Sequence, residues 1–228
     1  MNYSTRYVRC FPREPSPSLL VIGEAPGPRG ADRTGYPFWG DDSGLEIYGL
    51  IASLGLLREP FTPWKRRADL TGTRPPLGRY CITNACPQMP LAEGGGFTAP
   101  EPARLKSEAG RIAEEILELK PRAVLACGRA AVFALACAAQ KLGRPVPAPL
   151  DGVSFSGLRV FEAMRALLDG EPWRVGDATA FVTAHPARGN WRRGMAAGEL
   201  HAQVVARVRE RIELLKVSRP ATPRSPRA

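Results

Sequence analysis

Apolar residues come in two kinds of run along this chain. Short unbroken ones at Leu19 to Ile22, Tyr80 to Thr83, Ala123 to Cys127 and Ala180 to Thr183 stop on Gly, Asn or Ala-His-Pro. That is the pattern of strands buried on both faces of a parallel sheet. Between them the apolar positions recur at helical spacing. Gly44 to Leu54 carries Leu45, Ile47, Tyr48, Ile51 and Leu54, and the stretch after Pro100-Glu-Pro carries Leu105, Ile112, Ile116, Leu117 and Leu119. An alanine-rich run from Gly128 to about Leu142, a short one around Phe161 to Leu168, and a last one from Gly198 to about Val217 complete the predicted helices. Arg58 to Gly78 and the remainder of Gly143 to Gly176 are rich in turn-forming residues and read as irregular. Strand alternating with helix predicts a single-domain α/β/α sandwich around a central, mostly parallel four-stranded sheet. The domain is expected over residues 1–217, and Ser218 to Ala228 reads as a basic, disordered tail.

With 228 residues, 44% of them hydrophobic, the chain can bury one sizeable core. Its formal charge of +10 favours a polyanionic partner such as nucleic acid. No apolar run is long enough to cross a bilayer, and the first residues, MNYSTRYVRCFPREP, lack the apolar core of a secretory leader. Five cysteines, an odd number, do not fit a secreted disulfide framework. A cytoplasmic monomer, nucleoid-associated if the source is bacterial, is the expectation, with no membrane partner.

Glu24, Asn84 and His185 each follow directly on a different predicted strand. In a parallel sheet those strand ends share one edge, where open α/β folds bind their ligands. The turn Gly23-Glu-Ala-Pro-Gly27 delivers backbone amides there, and Phe38 and Trp39 lie close behind in sequence with flat faces suited to a planar base. A phosphate loop of the usual nucleotide-binding kind is disfavoured, because GEAPGPRG lacks both the Lys-Ser/Thr of a P-loop and the dinucleotide glycine spacing.

Four motifs in order, Gly23 to Gly27, Asp32-Arg-Thr-Gly-Tyr-Pro-Phe-Trp-Gly40, Ile82-Thr-Asn84 and Thr183-Ala-His-Pro-Ala187, resemble the uracil-DNA glycosylase superfamily. The resemblance is nearest to its members with a Gly-Glu-Ala-Pro-Gly first motif, and runs from about Leu19 to Leu215. It implies removal of uracil from single- or double-stranded DNA by a monofunctional glycosylase, leaving free uracil and an abasic site. Under it Phe38 is the face on which the flipped base stacks, and Asn84 reads the uracil edge through its carboxamide. His185 donates to uracil O2 as negative charge builds there, with Gly23 and Ala25 as further substrate contacts. Glu24 positions water or stabilises the sugar cation, a task for which Asp32 is the alternative. The loop after His185-Pro186 contacts DNA through Arg188, Asn190, Trp191, Arg192 and Arg193, with Arg188 or Trp191 as the wedge that fills the space of the flipped base. Lys65-Arg-Arg67 is another candidate phosphate contact, and His201 reads as a surface residue. A same-fold enzyme for hypoxanthine or a thymine mismatch, and a non-catalytic binder of damaged or abasic DNA, are the competing readings.

The chain departs from that pattern in two places. Pro28-Arg-Gly-Ala31 makes the first turn one residue longer. The families with this first motif also hold a four-iron cluster on four cysteines, beginning with an N-terminal Cys-x-x-Cys. Here Cys10 is followed by Phe-Pro-Arg, and Glu101 to Leu119 contains no cysteine. Cys86 alone falls near an expected ligand position, while Cys127 and Cys137 read as small core residues. No metal, iron cluster or organic cofactor is expected.

Overall fold

The computed structural model describes residues 2–65, 68–187, 190–192 and 194–217. In chain order the elements are β1 (Asn2–Tyr3), β2 (Leu19–Gly23), α1 (Ala31–Thr34), α2 (Asp42–Ser53), β3 (Tyr80–Asn84), β4 (Pro90–Leu91) and α3 (Pro102–Leu119). They continue with β5 (Ala123–Cys127), α4 (Arg129–Lys141), α5 (Val160–Asp169), β6 (Arg174–Val175), β7 (Ala178–Thr183) and α6 (Ala196–Val217).

The main sheet runs β3-β2-β5-β7-β6. Its first four strands are parallel, and every residue of β2, β3 and β5 is buried, as continuous apolar runs in a doubly covered sheet require. Helices α3 and α4 pack together, and α5 and α6 pack on β7, completing the α/β/α sandwich. One count changes: the sheet has five strands rather than four, because β6 turns back antiparallel onto β7. Two residues are too short to show alternation in sequence. β1 and β4 form a separate two-stranded pair.

Helix α3 buries Leu105, Ala109, Ile112, Ile116 and Leu119 along one stripe, whereas Leu117 is turned out to solvent. Arg58 to Gly78 is irregular, yet it is anchored by an aromatic cluster. Trp39 meets Trp64 at 4.7 Å and Tyr48 at 5.2 Å between ring centroids, and its indole N–H donates to Thr73 Oγ1 at 2.9 Å.

Parallel register brings the functional ends together. Gly23 is level with Asn84, Ile22 with Ala126, and Cys127 with Thr183. Residues 24, 85, 128 and 184 therefore leave the sheet along one edge. Among the described residues no helix is long and apolar enough to cross a membrane. The tail 218–228 lies outside the described residues.

Candidate active site

At that edge Gly23, Phe38 and Asn84 touch. A Cβ on Gly23 would stand 2.5 Å from Phe38 Cε2 and 2.6 Å from Asn84 Oδ1, so only glycine permits this approach. Phe38 has φ +58°, a left-handed backbone that a bulky residue rarely adopts, and the Tyr48 hydroxyl donates to the preceding Pro37 carbonyl at 2.9 Å. Phe38 is 6% exposed and Asn84 1%, and the Asn84 Nδ2 amide has no hydrogen-bond partner. A buried amide without a partner is a standing cost of about 1–3 kcal/mol, which a ligand oxygen would relieve. Ala25 is half-buried and packs against the same core.

Glu24 turns toward the neighbouring strand. Its Oε1 accepts from the Ala130 amide at 2.9 Å, in the first turn of α4, where helix amides favour an anion. Gly128, at φ +94°, makes room for it: a Cβ there would lie 2.7 Å from the same oxygen. Asp32 keeps a buried Oδ1 without a hydrogen-bond partner.

His185 stands across from Phe38, with ring centroids 6.3 Å apart and planes inclined by 33°. Its Nδ1 accepts from the Ala187 amide at 3.2 Å, which leaves the proton of the neutral ring on Nε2. Burial pushes its pKa below the ordinary histidine value, with the charge of Glu24 working in the opposite sense. The ring is thus set up as a neutral donor through Nε2.

The loop behind His185 is held from inside. Asn190 Nδ2 donates to the His185 carbonyl at 2.9 Å, and Trp191 Nε1 donates to the Ala184 carbonyl at 2.8 Å. Trp191 also stacks on His201, 3.9 Å between centroids. His201 Nδ1 and Thr183 Oγ1 share a hydrogen bond of 2.9 Å. His201 is therefore 7% exposed, not a surface residue as its place in a polar helix implied. In this structure both Asn190 and Trp191 are thus engaged with the backbone around His185. Arg192 is exposed, and Lys65 is described while Arg66 and Arg67 are not; Arg188 and Arg193 also lie outside the described residues.

The cysteines do not make a cluster site. The neighbouring Cys81 thiol and burial together drive the Cys10 thiol pKa up. The Cys86 thiol donates to the Gln88 carbonyl at 3.1 Å, and Cys127 lies inside β5. Among the described residues no three Cys, His, Asp or Glu side chains converge on one point. This donor set does not fit a four-thiolate iron cluster.

A family model described as the Uracil DNA glycosylase superfamily matches residues 6–209. The chain belongs to the uracil DNA glycosylase superfamily. Membership accounts for motifs spread over the whole sheet edge rather than one local signature. Closer relatives match over short stretches only. The Type-5 uracil-DNA glycosylase of Thermus thermophilus is 45% identical over 47 residues, 21% of this chain and 22% of that one. Those of Mycobacterium bovis and Mycobacterium leprae are 46% and 44% identical over 44 and 46 residues. These stretches cover 19% and 20% of this chain, and 16% and 20% of the respective relatives.

Sequence reading did not anticipate that His201 meets Thr183 or that Arg111 meets Thr83 and Asn84. Only the spacing of Arg111 from Glu108 and Glu115 on one helix hinted at a buried ion network.

Proposed function

We propose that this protein is a monofunctional uracil-DNA glycosylase acting on single- or double-stranded DNA without a metal or organic cofactor. The observation that carries the reading is a buried Asn84 amide without a partner beside Phe38, facing the same sheet edge as a neutral His185. Because Phe38 and Asn84 are almost wholly covered, a base that meets them has left both the duplex stack and water. Phe38 stacks on it; Asn84 donates to uracil O4 and accepts from N3–H, a pattern that cytosine inverts.

The bond from the sugar C1′ to uracil N1 then breaks, with its electron pair leaving on the base. His185 Nε2–H donates to uracil O2 as the charge develops, an interaction that strengthens toward the transition state. Glu24 stabilises the cationic sugar and orients the water that adds to C1′, the proton passing to solvent or to a carboxylate. Asp32 is the second carboxylate available for that water. The products are uracil and abasic DNA, and the basic surface, Arg192 included, meets the phosphates. We place the enzyme in the cytoplasm as a monomer, nucleoid-associated in a bacterial cell.

Incubation with single-stranded and duplex oligonucleotides carrying uracil, hypoxanthine or a thymine mismatch, followed by alkaline cleavage, tests the reading. Cleavage at uracil supports it. Cleavage confined to another base assigns a different lesion, and tight binding without base release identifies a damaged-DNA binder.

A further inference from the structure

The Asn84 Nδ2 makes no hydrogen bond, so the aim of the carboxamide depends on its packing against Gly23 and Phe38 and on the backbone that carries it. That backbone lies at the outer edge of the main sheet, where β2 is the one named strand beside β3. On the β2 side the amides of Ala85 and Cys86 donate to the carbonyls of Gly23 and Glu24 at 2.8 and 2.9 Å. On the other side the backbone of Phe11 pairs with Ile82 through two hydrogen bonds of 2.9 Å, and from Thr83 onward the Arg111 side chain continues that cover. Arg111 Nη2 donates to the Asn84 carbonyl at 2.6 Å and to that of Ala85 at 3.3 Å, and Nη1 donates to Thr83 Oγ1 at 3.1 Å.

The guanidinium is itself fixed. Its Nε donates to Glu108 at 2.7 Å and its Nη1 to Glu115 at 2.8 Å, so two carboxylates one turn either side on α3 orient the fork. Glu108 also pairs with Arg104, whose guanidinium lies over the Tyr3 ring and donates to Gln88 Oε1. The network thus ties β1 and the segment after β3 to α3. Arg111 is mostly covered, with 18% of its side chain exposed. Only a planar group with several fixed donors can serve three acceptors on residues 83–85 and two carboxylates together; a lysine ammonium cannot.

We propose that Arg111 is a positioning residue for base recognition: it sets the aim of Asn84 by holding residues 83–85. This rests on the assignment of Asn84 as the base-reading group. Arg111→Lys keeps the charge opposite Glu108 and Glu115 but loses the fork, and so isolates geometry from folding. Single-turnover release of uracil should fall about 10- to 100-fold in Arg111→Lys, the loss expected for charged hydrogen bonds. On the lower rate of Asn84→Ala, the same change should cost less than about twofold, since the two residues act as one unit. Amide exchange at Ala85 and Cys86 should quicken at least about tenfold in Arg111→Lys. Equal losses in both backgrounds, or unchanged exchange, overturn the proposal. A wild-type chain that releases no uracil overturns the reaction instead, and the exchange rates then decide whether Arg111 holds Asn84.

Discussion

The indole of Trp191 lies flat on the imidazole of His201, centroids 3.9 Å apart and planes 12° from parallel. Through its N–H to the Ala184 carbonyl, the same indole fixes the residue before His185. Trp191→Phe keeps a stacking face and loses that donor. It should lower single-turnover base release up to about tenfold, the worth of one hydrogen bond, on single-stranded and duplex substrates alike. A wedge residue would instead cost duplex activity and spare single strands, so that outcome would support the DNA-contacting role of Trp191.

Removing the donor itself should cost more. His185→Ala is expected to slow base release by about 10²–10³, as loss of a donor to a developing anion does, while DNA affinity changes by no more than a few-fold. Because burial lowers the His185 pKa, the wild-type rate should be sustained at neutral pH and lost as pH falls through a value below the usual 6.5. A rate profile with its acid limb above 6.5 would mean that His185 works in another protonation state.

Gly23→Ala tests the contact among Gly23, Phe38 and Asn84. The new methyl would lie within 2.6 Å of both side chains, so one must move. Overpacking of this kind costs about 1–3 kcal/mol. Thermal unfolding should show the loss, and base release should fall further than the stability change explains. A variant with wild-type Tm and rate would show that the contact is not maintained in solution.

His201 links the same loop to pH. Burial depresses its pKa to about 4, so between 6.5 and 4 the unfolded chain binds the proton that the folded chain refuses. Its contribution is intact above pH 6.5 and lost progressively as pH falls to about 4, up to about 3 kcal/mol in all. Asp41 acts oppositely, since burial raises its pKa to about 6 and protonation then favours the folded state as pH falls. Denaturant unfolding of His201→Phe against wild type, from pH 7.5 to 4, isolates the histidine. The variant should lose less stability on acidification; parallel curves would show that His201 is not buried as described.

How much of this was legible beforehand follows from which residues interact over what distance. The four parallel strands and the placing of Glu24, Asn84 and His185 could be read because each apolar run carries its own boundary and parallel register does the rest. β6 could not, since two residues have no period. Trp191 and His201 lie on opposite sides of a turn, and nothing in their spacing says that the rings stack. Arg111 is 27 residues from the carbonyl that it holds, on a helix whose polar face looked ordinary.

The most direct measurement of the central claim is base selectivity in single-turnover release, wild type against Asn84→Asp, on matched oligonucleotides containing uracil or cytosine. The wild type should release uracil and leave cytosine. In the variant, a protonated carboxyl or a carboxylate faces a base edge with donor and acceptor exchanged, and preference should shift toward cytosine. Unchanged uracil selectivity in Asn84→Asp would contradict the account.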